Sequence, residues 1–227
     1  MIFLVAAAVA TAAPASCPDI VTPDALVCRA LESQKAGDND AAARGFEEAA
    51  KASNDKDLKT ARLYAAAGNL WIEADQPGKA ALDLDRALAL PGLEAEQRGE
   101  ALLDRARAAE AQNDLVTARA KLNEAAATIS DDPFYWYFSA ALAIREGDGA
   151  TAKSAIGKAL TLAPSDPAIL FEAGHVAQAS GDDASARSYW MRAAGSDPNG
   201  PVGKAAAKAV EMLGVTPTVK SGTSPPK

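Results

Sequence analysis

The sequence repeats itself at intervals of 34 to 38 residues. Five two-residue turns recur along it, at Gly37-Asp38, Asp75-Gln76, Asn113-Asp114, Gly147-Asp148 and Gly181-Asp182. An alanine follows the second residue of each turn by four positions, and these alanines are spaced 38, 38, 34 and 34 residues apart. A period of this length is typical of a fold in which small units are stacked, and each unit contacts mainly its neighbours.

Four further positions keep the same register in every copy: a second alanine, a large apolar residue between the two alanines, a small residue before the turn, and a large residue four positions before that. In this order they are Ala49, Ala87, Ala125, Ala159 and Ala193; Phe46, Leu84, Leu122, Ile156 and Trp190; Ala30, Gly68, Ala106, Ala140 and Gly174; Leu26, Tyr64, Leu102, Trp136 and Leu170. The register predicts two antiparallel helices per copy that cross at the small residue, with Gly or Asn left-handed in the turn and Asp capping the second helix. One pair cannot bury its large side chains alone, so neighbouring copies must stack.

Composition agrees with helices. Of 227 residues, 56 are Ala and only 12 are aromatic. Alanine favours helix, whereas strands are enriched in β-branched and aromatic residues. The net charge of −7 argues against nucleic acid or an anionic membrane surface as the main partner, because both attract clustered Lys and Arg.

At these positions residues 23–199 resemble the tetratricopeptide repeat family. Copies four and five match its pattern best, at Trp136, Ala140, Gly147, Ala152, Ile156, Ala159 and Pro164, and at Leu170, Gly174, Gly181, Ala186, Trp190, Ala193 and Pro198. The resemblance implies an all-α solenoid of about five helix-turn-helix units. After the last copy, the apolar side of residues 202–213 predicts an amphipathic capping helix.

The resemblance also implies a right-handed superhelix whose concave wall, formed by the first helix of each pair, holds an extended peptide or a partner helix. Carrying over the groove positions gives a set of candidate partner-binding residues: Arg62, Asn69, Arg107, Phe134, Tyr137, Phe171 and His175. Residues 134–138 are five consecutive aromatics, and successive helix residues turn by about 100°, so they cannot all face one core. For Phe134, Tyr137 and Phe171, anchoring a partner and ordinary packing both remain open.

Catalysis has no support in the sequence. His175 is the only histidine, and no nucleophile-elbow, zinc-protease, P-loop or dinucleotide-binding motif occurs. We therefore expect no catalytic residue, no metal site, no cofactor and no small-molecule substrate. The expected partner is a protein or peptide rather than nucleic acid.

The first residues suggest export. Residues 2–13 are apolar and uncharged, and Ala13-Pro14-Ala15 fits the small-x-small cleavage rule, although no basic residue precedes the apolar run. We predict a signal peptide at 1–15, an N-terminal segment at 16–22, the repeat domain with its capping helix at 23–215, and a flexible tail at 216–227. The alternative for the first segment is an ordinary buried helix.

The two cysteines leave three alternatives. Cys17 and Cys28 lie close together near the start of the expected mature chain, which suits a disulfide in an oxidising compartment. Lipidation of Cys17, which alone would bring membrane contact, and free thiols are the other two. The sequence thus predicts a non-enzymatic, periplasmic protein-protein interaction module of the bacterial cell envelope. The alternative is a structural or lipid-anchored subunit of an envelope assembly complex.

Overall fold

Helices make up the whole regular structure of the part of the chain that the computed structural model describes, residues 17–214. They are α1 (Pro23–Lys35), α2 (Asn39–Ala52), α3 (Leu58–Glu73), α4 (Pro77–Ala89), α5 (Ala95–Ala111), α6 (Leu115–Ile129), α7 (Pro133–Glu146), α8 (Gly149–Leu162), α9 (Pro167–Ala179), α10 (Asp183–Ser196) and α11 (Pro201–Gly214). The prediction of an all-α fold is confirmed: five helix pairs are followed by α11 at the place of the predicted capping helix. The predicted signal peptide lies outside the described residues, as does the predicted tail.

The turn inside each pair has one recurring geometry. The residue before the cap has a positive φ in all five copies, at Gly37, Asp75, Asn113, Gly147 and Gly181. In four copies an aspartate then caps the second helix, accepting a hydrogen bond at 2.9–3.0 Å from the backbone N–H three residues on. The second copy differs: Gln76 makes no side-chain cap, and Pro77 occupies the start of α4, where a missing N–H costs nothing.

The small residues before the turns lie where the two helices of a pair cross. A Cβ on Gly174 would overlap the indole of Trp190, and one on Gly68 would overlap the side chain of Leu84. The Trp190 indole is fully buried and donates to the backbone carbonyl of Phe171 at 3.0 Å. At these two crossings the small residue predicted there directly contacts the large residue of the second helix.

The chain divides into two compact units between Gly92 and Leu93. The first contains α1 to α4. Its least exposed charged group is Asp83, 2% exposed, whose carboxylate accepts from the Trp71 indole at 3.1 Å and from the Arg86 guanidinium at 3.0 Å. Burial, and then the nearby Glu47 carboxylate, raise the pKa of Asp83. This carboxylate links α3 to α4 through the core.

The first unit also holds the N-terminal segment against α1. A disulfide joins Cys17 to Cys28. The Arg29 guanidinium donates to the backbone carbonyls of Pro18 and Ile20. Residues 17–22 are therefore attached at two points, one covalent and one polar.

The second unit contains α5 to α11, and its buried apolar residues include two clusters that each join neighbouring helix pairs. One lies among α7, α8 and α9 around Ile156, Ile169 and Val176; the other joins α9, α10 and α11 around Leu170 and Trp190. Neighbouring copies therefore share cores, as predicted for stacked pairs.

Trp136 departs from the predicted core position, because the other large residues at its place in the repeat are buried and its ring is only half-buried. It packs against the Ile156 cluster, but its indole donates to the backbone carbonyl of Ser130 at 2.7 Å, and the Lys158 ammonium lies 3.8 Å from the ring centroid. The neighbouring Tyr135 and Phe138 fill the core instead.

Substitution of Gly174 tests the crossing contact. We expect Gly174→Ala to lower the free energy of unfolding by about 1–3 kcal/mol, because the added methyl group overlaps the Trp190 indole. The matched control is Gly157→Ala in α8, where a Cβ meets open space; helix propensity should make it about 0.5–1 kcal/mol more stable. Urea unfolding curves of both variants measure this, and equal effects would contradict the crossing model.

The aspartate caps predict an acid limit to stability. Hydrogen bonds from the side chain and backbone of Thr117 and Thr151 lower the pKa of Asp114 and Asp148, and those from the backbone and side chain of Ser185 lower that of Asp182. A lowered folded-state pKa gives stability that is fully present above the ordinary value of 3.8 and is lost as the pH falls through the folded value.

The triple Asp→Asn variant at positions 114, 148 and 182 should therefore keep its capping acceptors but lose less stability than the parent between about pH 5 and about pH 2. Melting temperatures across that range measure the difference. The corresponding triple Asp→Ala variant should melt lower at neutral pH. Parallel pH curves for parent and Asn variant would contradict this role of the caps.

Candidate partner-binding surface

The seven predicted site residues are divided between the two units. Arg62 and Asn69 lie on α3 in the first unit, and both are exposed. Arg62 donates from Nε to the backbone carbonyl of Gly92 at 3.1 Å, so it helps to hold the segment that follows α4. The other five lie on α5, α7 and α9 in the second unit.

Three of these residues lie together: two stacked rings on α7 and the guanidinium of Arg107 on α5. The Phe134 and Tyr137 rings are stacked with centroids 5.3 Å apart, and the Arg107 guanidinium lies 5.6 Å from the Phe134 centroid. Phe134 is 39% exposed, whereas Tyr137 is half-buried. Phe134 and Tyr137 are one turn apart on α7, so the run of five aromatics does split between core and surface as its spacing predicts.

A second ring pair lies on α9. Phe171 and His175 make an edge-to-face contact with centroids 4.4 Å apart, and both side chains are half-buried. His175 also lies 5.6 Å from the Trp190 ring, which fixes it against the core. We call Phe134, Tyr137, Phe171 and His175 the aromatic strip.

Glu172 lies next to the strip and was not singled out by the sequence. It is 9% exposed, and its carboxylate lies 3.3 Å from His175 Nδ1. It is the only Asp, Glu, Lys or Arg of α9, and a single carboxylate on a mostly apolar helix is the sequence feature that could have identified it. Burial, followed by the charge of Glu172, raises the pKa of Tyr137, while Arg107 lowers it. The Tyr137 phenol therefore stays neutral near pH 7 and can donate or accept hydrogen bonds.

The cations beside the strip are paired with carboxylates of α5. Arg107 contacts Asp104 at 2.9 Å. Arg145, near the end of α7, contacts the Glu110 carboxylate and donates to the Asn113 side chain at 2.9 Å. The Arg145 contacts tie α7 to α5 and to the turn that follows it, and the Asp104 pair within α5 holds Arg107 beside the Phe134 ring.

This arrangement suits recognition rather than bond making. It offers apolar ring faces, a phenol and fixed charges, and its single imidazole contacts a carboxylate. Within residues 17–214, Cys17, Cys28 and Glu32 are the one set of Cys, His and acidic groups close enough to share a metal ion, and the disulfide already uses both sulfurs.

Solved structures share this fold. The type IV pilus biogenesis factor PilW matches with a TM-score of 0.67 and 20% identity, over 82% of this chain and 82% of its own. YrrB, described as a TPR protein with an unusual peptide-binding site, matches with a TM-score of 0.56 and 17% identity over 81% and 91%. A tetratricopeptide repeat protein from Parabacteroides merdae matches with a TM-score of 0.63 and 16% identity over 84% and 70%. The chain therefore has the tetratricopeptide-repeat fold, an α-solenoid.

Sequence comparison adds no relative, since neither a protein-family model nor a curated protein matches this chain. None of the helices between residues 17 and 214 combines the length and apolar character needed to cross a membrane.

Proposed function

We propose that this chain, built on the tetratricopeptide-repeat fold, is a non-enzymatic protein-protein interaction module whose aromatic strip binds a peptide or a partner helix. The observation that carries the proposal is the position of Phe134 and Tyr137. They stack on each other at the surface of α7, while Tyr135 and Phe138 of the same run are buried. Phe134 is exposed, and Tyr137 packs against the Ile156 cluster but is only partly buried, so the stacked pair leaves ring surface available to a partner.

The size and the fixed geometry of the rings in the strip favour binding. Large aromatic side chains contribute much of the energy at protein interfaces, and they lose little rotamer entropy when their geometry is already fixed. Stacking fixes Phe134 and Tyr137, and the contacts of His175 with Phe171 and Trp190 fix the α9 part. The peptide-binding site described for YrrB, which shares the fold, supports the same kind of role.

We also propose that the protein works in the periplasm of a bacterial cell envelope. Three observations support this: the apolar run at residues 2–13, the disulfide between Cys17 and Cys28, and the similarity to the pilus biogenesis factor PilW. Disulfides persist mainly in oxidising compartments. A lipid-anchored subunit of an envelope assembly is the alternative, and it requires the Cys17 sulfur that the disulfide occupies.

Removal of two rings tests the strip. Capture from bacterial envelope extracts on the immobilised protein, followed by mass spectrometry, identifies candidate partners, and their affinities are then measured with purified proteins. We expect Tyr137→Ala combined with Phe171→Ala to lower the affinity for a partner that binds the strip by at least about tenfold. Truncating an anchor residue at an interface to alanine typically costs more than about 1 kcal/mol of binding free energy.

The matched control for the double variant is Val116→Ala, which removes most of a side chain that is 83% exposed on α6, a helix with no residue of the strip. It should leave the affinity unchanged. An unchanged affinity for the double variant, with its circular dichroism and melting temperature intact, would place the binding site elsewhere.

The intact mass and the first residue of the exported protein test the localisation. We expect the mature chain to begin at Ser16, with a mass about 2 Da below that of the reduced chain, because a disulfide removes two hydrogens. A gain in mass of acyl chains on Cys17 would support the lipid-anchored alternative. A chain that still begins at Met1 would contradict export through a cleaved signal peptide.

A further inference from the structure

The charges of the second unit are separated between its two sets of helices. The second helices of its three pairs, α6, α8 and α10, carry six Lys and Arg but two Asp and Glu. The first helices, α5, α7 and α9, which hold the strip and Arg107, carry four Lys and Arg and six Asp and Glu. The surface proposed above as the binding site thus lies on the helices of this unit in which acidic residues outnumber basic ones.

The excess of acidic residues is greatest close to the strip. Asp132, the cap of α7, lies two residues before Phe134, and Glu100 and Asp104 lie on the facing part of α5. Burial raises the pKa of Glu100, and so do the negative charges of Glu96, Asp104 and Asp132 in turn, which shows that these carboxylates repel one another. On the other side, α9 carries Glu172 and neither Lys nor Arg.

The cations near the strip do not cancel this excess of negative charge. Arg107 is held by Asp104 and Arg145 by Glu110, so each brings its own counter-charge. His175 contacts Glu172. A partner that approaches the rings therefore meets a surface of apolar faces bordered by carboxylates in excess.

We propose that the aromatic strip binds a basic, apolar-anchored segment of a partner protein, with leucine or aromatic side chains seated on the rings and arginine or lysine beside the carboxylates. This rests on the proposed function and specifies its partner. Arginine suits the site better than lysine, because a guanidinium can lie on an aromatic face while its N–H groups bond carboxylates. Arg107 already adopts this arrangement between Phe134 and Asp104.

Charge also decides what the strip rejects. An acidic segment with the same apolar residues would place its carboxylates near Glu100 and Asp132, where like charges oppose binding. The apolar contacts would be the same for both segments. The difference in affinity between them therefore measures the contribution of charge alone.

Three synthetic peptides supply the test. Each is a fluorescein-labelled dodecapeptide with the same Leu and Phe residues, and its polar positions are all Arg, all Gln or all Glu. In anisotropy titrations of the purified protein, we expect the Arg peptide to bind about tenfold more tightly than the Gln peptide, and the Glu peptide to bind least. Raising the salt from about 0.05 M to about 0.5 M should shrink these differences, because exposed charges are screened.

Charge reversal locates the effect. Glu100→Lys should lower the affinity for the Arg peptide by about fivefold, since an exposed charge pair contributes modestly to binding. The affinity for the Gln peptide should stay unchanged. The matched control, Glu211→Lys at an exposed position of α11, changes the net charge equally and should have little effect. Tyr137→Ala with Phe171→Ala should weaken the Arg and Gln peptides alike. Circular dichroism and melting curves confirm that each variant is folded.

Other results would overturn the inference in distinguishable ways. Equal affinity for the Arg and Glu peptides would leave the strip as a binding site but without the charge preference. Binding of the Arg peptide that is indifferent to the Tyr137 and Phe171 substitutions would place a basic-peptide site elsewhere. Salt-sensitive self-association that Glu100→Lys abolishes would make a second copy the occupant. If no peptide binds, the basic-segment proposal fails, and the capture experiment still decides the proposed function.

Discussion

The contact between a small residue on one helix and a large side chain on its partner is the constraint on which the rest of the structure depends. Where Gly174 meets Trp190, and where Gly68 meets Leu84, the helix backbone itself forms one wall of the packing volume. Close packing of this kind admits one large side chain at each crossing. The repeat therefore needs only one large side chain at each helix crossing.

This constraint accounts for the surface of α7. Five consecutive aromatic residues surround the helix, and the neighbouring helices α6, α8 and α9 cover only part of that circumference. Tyr135 and Phe138 take the buried positions, Tyr137 is half-buried against the Ile156 cluster, and Phe134 is exposed and stacks on Tyr137. The aromatic strip is thus a consequence of placing more large rings on a helix than its crossings can use.

Some features follow from the sequence because they depend only on local chemistry. The left-handed turn residues and the aspartate caps each depend on one residue type at one position, and they appear where the spacing predicts them, except in the second copy, where Asp75 takes the left-handed position and Gln76 makes no cap. Features that depend on the exact fit of neighbours do not follow. Trp136 shares the repeat position of buried Leu170, yet its ring is half-buried between Ser130 and Lys158. Glu172 became notable only once its contact with His175 was known.

The residues that the fold requires are different from those that a partner would contact. Alanines and glycines at the crossings are fixed by packing, so they can hold no information about a partner. The outward positions of α5, α7 and α9 have no such restriction, and there the chain places rings and carboxylates together. Because the cations Arg107 and Arg145 are themselves held by α5 carboxylates, they stiffen the surface without neutralising its neighbours. Specificity on this fold then depends on a few side chains whose loss would leave the helix crossings intact.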